Sequence, residues 1–137
     1  MTRLGTTQID LDGAWAIASR FGAALPIGKD PIFESGFADM LDTLSRQRIE
    51  ATLFVVGKDL SVPWKRRLVK TAYEEGHELA NHTMNHYANL DSTQASTVAK
   101  EIQKAEERIR TITGVKTKGS NASNAWKRLD IRYMEQS

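Results

Sequence analysis

The stretch Ala51-Thr52-Leu53-Phe54-Val55-Val56-Gly57 decides the fold. It is a near-continuous apolar run, rich in β-branched and aromatic residues and closed by a glycine. An alternating pattern would mark a strand with one wet face. An unbroken run suits a strand covered on both faces, as in a parallel sheet. Outward from it, strand and helix patterns alternate. On the N-terminal side, Phe37, Met40, Leu41 and Leu44 fall at i, i+3, i+4 and i+7, which predicts a helix over about Glu34 to Gln47. Before it, residues 13–33 carry Gly13, Gly22, Pro26, Gly28 and Pro31 and read mostly as a long loop. Earlier still, Thr6 to Asp12 reads as a short strand stopped by Gly13.

On the C-terminal side, Ser61 and Pro63 open a helix that Gly76 follows. His77 to Ala80 then fits a short third strand. Asp91-Ser92-Thr93-Gln94 has the form of a capping arrangement. Val98, Ile102, Ala105, Ile109 and Ile112 stripe one face of the next helix as far as Gly114, a residue suited to the helix stop. Val115 to Gly119 is placed as the start of a fourth strand, and the pattern weakens beyond it. Strand–helix alternation with apolar strands predicts an α/β fold with a parallel sheet.

Composition narrows the function classes. The chain has 137 residues, enough for one domain, with a net charge of +2 and no cysteine. Disulfides, thiolate metal sites and cysteine nucleophiles are therefore excluded. A reducing compartment is permitted, and a cytoplasmic location is the expectation. No apolar run is long enough for a membrane-spanning helix, and Met1 to Gly13 lacks the pattern of a signal peptide. A mildly basic end, without interleaved aromatics, does not make a nucleic-acid surface. Composition thus leads to the expectation of no nucleic-acid partner and no membrane.

Two motifs carry chemistry. In Asp10-Leu11-Asp12-Gly13, strand alternation puts Asp10 and Asp12 on one face. Two like charges so close call for a nearby cation or a raised pKa. The bland alternative is a pair of solvated carboxylates. In His82-Thr83-Met84-Asn85-His86, two imidazoles four residues apart can face one way if the backbone turns. Here the alternative is two satisfied surface histidines. Thr83 stands where a zincin helix would carry its glutamate, so any base must come from elsewhere. Both motifs fall at strand ends, which converge on one face in barrel-like α/β folds. Asp12, His82 and His86 then make a two-histidine, one-carboxylate site, with Asp10 as candidate base. Zinc is the first expectation for the metal, with cobalt or iron as alternatives. His77 is expected to be structural, Asn81 to orient the histidine loop, and Trp15, Trp64 and Trp126 to be packing residues.

Ile9-Asp10-Leu11-Asp12-Gly13, Ala51 to Gly57, and Gly76-His-Glu-Leu-Ala-Asn-His-Thr-Met-Asn-His86 together resemble the polysaccharide deacetylases of the NodB-homology type, carbohydrate esterase family 4. The D-x-D form of the first motif is similar to a subgroup with peptidoglycan-deacetylase-like and allantoinase-like members. The resemblance implies a (β/α) barrel, of which this chain supplies about four parallel strands with helices over residues 1–119. Residues 120–137 are read as a diverged or out-of-family tail. It also implies hydrolysis of non-peptide C–N bonds on a small-molecule or amino-sugar substrate, with Asp10 as base and Asp12, His82 and His86 as metal ligands. The family's third motif, of Gly-Phe-Arg-x-Pro type, is replaced by Lys118-Gly-Ser-Asn-Ala-Ser-Asn124, and its late histidine acid has no counterpart. The chain is therefore read as truncated at its C-terminal side, with weakened turnover. A non-catalytic fragment that binds metal or a partner is the alternative. Four strands cannot close a barrel, so a homo-oligomer is expected if a second copy covers the open sheet edge.

Overall fold

The computed structural model describes residues 5–117. Three parallel strands form one sheet: β1 (Thr7–Leu11), β2 (Ala51–Val55) and β3 (Glu78–Asn81), in the spatial order β1-β2-β3. The helices are α1 (Ala14–Ser19), α2 (Phe37–Arg46), α3 (Pro63–Glu74) and α4 (Ala95–Thr113). The α/β class and the parallel arrangement are as the sequence predicts. Among the described residues the sheet is open, and β1 and β3 are its edges. The expected fourth strand lies partly outside the described residues, and its described part, 115–117, belongs to no strand. The tail 120–137 and Trp126 also lie outside them.

The central position of β2 follows from its composition. Leu53 and Val55 are fully buried, while Ile9 and Leu11 of β1 and Leu79 of β3 flank them on the same side of the sheet. Phe33, Phe37, Leu41 and Leu44 close over that side from α2 and the turn before it, joined by Val69 and Ala72 of α3 and Ile109 of α4. Burying one such side chain contributes roughly 1.5–3 kcal/mol. At the start of the sheet His77 is structural, as expected: its Nδ1 accepts the Ala51 N–H at 3.0 Å.

Several boundaries differ from the sequence reading. Residues 13–33 are mostly loop and turn, as expected, but they also hold a short helix that the sequence reading did not place. Gly13 precedes the short helix α1, and its carbonyl accepts the Ala16 and Ile17 N–H groups. One and a half turns are too short for an apolar stripe to show. The helical path before α2 begins earlier than Glu34, with a π-helical turn at Ile32–Gly36. Helix α4 begins at Ala95, not at Asp91. Leu90–Ser92 forms a 3-10 turn instead, and the Gln94 side chain, at the position before α4, makes no capping bond. At its other end Gly114 adopts φ 73°, the left-handed stop conformation that glycine takes without a Cβ clash.

Candidate metal centre

The last hydrogen-bonded row of the sheet is Leu11–Val55–Asn81. Asp12 and His82 are the first residues past that row on β1 and β3. They emerge on the same edge, and alternation turns them to the side opposite Leu11 and Asn81. His82 keeps the sheet's direction, since its N–H donates to the Val55 carbonyl at 3.0 Å. The chain then folds back. Thr83 has φ 68° and His86 φ 53°, left-handed values that side chains with a Cβ take up at a cost of about 1–2 kcal/mol each. This turn returns His86 to the side of His82, with ring centroids 4.8 Å apart.

The Nε2 atoms of His82 and His86 lie 3.0 Å and 3.3 Å from the same atom, Oδ1 of Asp12. One ligand atom from each of the three residues fits within a span of 4.8 Å. Both histidines are buried and Asp12 is partly buried. Asp12 Oδ1 and His86 Nδ1 are buried with no well-aligned hydrogen bond among the described residues. An oxygen flanked by two imidazole nitrogens, yet poorly satisfied by either, is what a shared cation would relieve. The donor set suits a borderline divalent ion.

The protonation states agree with that fit. Burial pushes the Asp12 carboxyl up, but the close approach of the His82 imidazole and the charges of His86, His82 and Arg20 outweigh it. The net pKa lies below the ordinary value of 3.8. Of the two alternatives for the crowded carboxylates, a nearby cation or a raised pKa, Asp12 does not show the second. Burial also lowers His86 below its ordinary 6.5, against the pull of Asp12. At neutral pH the pair is a carboxylate beside a neutral imidazole, the ligating forms of both. The unfolded chain binds more protons than the folded one as pH falls below about 6.5 (His86) and again below about 3.8 (Asp12). His86 therefore withdraws stability as pH falls through its window, and Asp12 does so lower down, where Asp59, whose carboxyl burial pushes up, works the other way. Urea titrations in chelator at pH 7.5 and 6.0 check the His86 effect, and stability that rises on acidification between them contradicts it.

The histidine loop is held from three sides. Asn81 orients it as expected: its Nδ2 donates to the Ile102 carbonyl at 2.8 Å, and its Oδ1 accepts the Thr83 N–H at 2.9 Å. The turn after β2, Gly57–Ser61, donates its Gly57 and Lys58 N–H groups to the Thr83 and Met84 carbonyls at 2.9 and 2.8 Å. A Cβ on Gly57 would come within 2.8 Å of Met84 Sδ and 3.0 Å of Ala105 Cα, so this close approach requires glycine. The third support is Glu101 of α4, which the sequence reading missed. It is buried, and its two carboxylate oxygens accept the Asn85 N–H and Nδ2 at 2.8 and 2.7 Å. Its signal was its position three residues after Val98 and four before Ala105, on the apolar face.

Asp10 is exposed on β1, on the same side as Asp12, and is not among the three converging residues. Trp15 and Trp64 do more than pack. Their Nε1 groups donate to Asp59 Oδ1 at 2.8 Å and to the Gly28 carbonyl at 3.2 Å.

Residues 27–127 match the family described as polysaccharide deacetylase. A chitooligosaccharide deacetylase of Bradyrhizobium sp. is 39% identical over 72 residues, 53% of this chain and 32% of that protein. A peptidoglycan-N-acetylglucosamine deacetylase of Bacillus cereus is 42% identical over 66 residues, 47% of this chain and 29% of that one. Among solved structures, a family 4 acetyl xylan esterase from Clostridium thermocellum shares the fold with a TM-score of 0.60 at 21% identity, covering 82% of this chain and 45% of that one. The matches to the two curated relatives span about a third of their length.

Proposed function

The chain belongs to the polysaccharide deacetylase family, and from that premise we propose that Asp12, His82 and His86 hold a divalent cation, zinc first, in a hydrolase of acetamido C–N bonds on amino sugars. The observation that carries this reading is the convergence of three ligand atoms within 4.8 Å at one edge of the sheet. A bound cation supplies a Lewis acid beside the acyl group. The chain's own residues supply the rest. Asp10, two residues before a ligand and open to solvent, takes the proton of the attacking water on its carboxylate. Asp12 keeps its negative charge at working pH because the two imidazoles stabilise it.

A second reading, metal binding without turnover, is favoured by one observation. The only histidines in this sequence are His77, His82 and His86. His77 is committed to the Ala51 N–H, so none of these three imidazoles is placed to protonate a departing amine. The test is acetate release from N-acetylglucosamine oligomers by metal-loaded chain, with a cyclic amide as comparison substrate. Metal-dependent release from the oligomers supports the hydrolase reading. Calorimetric metal binding with no release from either substrate supports the second.

A further inference from the structure

Asp12 and the histidine loop come from strands that are not neighbours. β2 lies between them, and strands sit about 4.8 Å apart, so the two ligand-bearing backbones are separated by about 10 Å. Something past the end of β2 must fix that span. The turn Gly57–Ser61 follows β2 and touches both arms. Its backbone holds the histidine loop through the Gly57 and Lys58 N–H groups. Its Asp59 side chain faces the other arm: Oδ1 accepts Trp15 Nε1–H of α1 at 2.8 Å and Lys65 Nζ at 2.7 Å.

Lys65 extends the link. Its ammonium is fully buried and also donates to Asp30 Oδ2 at 2.7 Å, and it lies 4.6 Å from the centre of the Phe33 ring. Asp30 Oδ2 in turn accepts the Ala14 N–H at 3.0 Å, two residues past Asp12, while Oδ1 accepts the Ile32 N–H. The fit is tight at Gly13, where a Cβ would lie 2.8 Å from Asp30 Oδ2 and 2.7 Å from Trp15 Nε1. Asp30, Asp59 and Lys65 are all at 0% exposure. A buried ion cluster of this kind is a weak source of stability, because desolvation offsets its attraction. What it does supply is a fixed geometry with directional bonds.

We infer that Lys65, Asp30 and Asp59 form a brace across the end of β2 that sets the distance between Asp12 and the two histidines, with Lys65 as a positioning residue. The inference rests on the metal-site reading for its purpose, while the brace itself has a metal-free readout. The variants are Lys65→Met in the full chain and Trp15→Phe. The second removes one N–H, keeps a ring, and remains informative if the first does not fold. In the metal-free state, amide exchange at Ala14, Gly57 and Lys58 accelerates by about 10-fold or more, while the α3 core amides of Val69 and Ala72 change by less than about 3-fold. Co²⁺ affinity of the folded variants falls by roughly 10-fold, the size typical of losing an outer-shell partner. Exchange that rises equally at all five amides, or at none, overturns the brace and leaves only a structural role. Unchanged Co²⁺ affinity with selectively faster exchange overturns the positioning role. A wild-type chain that takes up no Co²⁺ defeats the metal-site reading and with it the positioning role. The exchange pattern still decides the brace in that case.

Discussion

Replacing His82 with alanine lowers affinity for Zn²⁺ or Co²⁺ by more than about 100-fold, beyond the loss typical of an outer-shell partner. The reasoning is geometric. His82 Nε2 lies 3.0 Å from Asp12 Oδ1 in a buried position, and Asp12 and His86 are the two side chains that converge with it. Removing it leaves one imidazole and one carboxylate, too few for the three protein ligands usual in an open zinc site. Calorimetry in a non-chelating buffer measures this, and equal affinity in wild type and variant rejects the site. Asp10→Asn is the matched contrast. Asp10 stands outside the converging group, so metal affinity stays within about 3-fold, while any acetate release falls by roughly 10²–10⁴-fold, the usual worth of a general base.

The second large effect is on stability. Glu101→Leu destabilises the chain by about 3 kcal/mol, because two donors of the half-buried Asn85 lose the acceptors of a buried carboxylate. Leucine suits both the helix and the neighbouring apolar face. A naive count of hydrophobic burial would therefore predict a gain. Glu101→Gln retains one carbonyl oxygen and costs about 1 kcal/mol. Thermal melts separate the two, with Glu101→Leu lower in Tm by about 10 °C. A Leu variant as stable as wild type would show that Asn85 finds other partners.

What the sequence disclosed follows from how far each feature reaches along the chain. The unbroken run at Ala51–Val55 identified a covered parallel strand because burial on both faces leaves a local mark. Asp12, His82 and His86 were legible because their spacing and strand-end placement are also local, and the structure brings them together. Asp10 is placed on the same side of β1, and its role rests on the proposed chemistry. Helix α1 was hidden because a helix of six residues cannot display a period. Glu101 was hidden by a rule that treats a charged residue as solvated. Its carboxylate is buried because Asn85 supplies two donors from 16 residues away. The cluster of Asp30, Asp59 and Lys65 joins residues up to 35 apart, and no pattern in the sequence marks such a meeting.

The sheet order has a consequence for how the site comes into being. With β2 in the middle, neither the β1–β2 pair nor the β2–β3 pair alone contains all three converging residues. The contacts that unite them span roughly 70 residues of chain, and pairing across such a distance carries a loop-closure cost. The convergence of Asp12 with the two histidines is therefore a property of the whole three-stranded sheet, and neither pair of neighbouring strands supplies it alone.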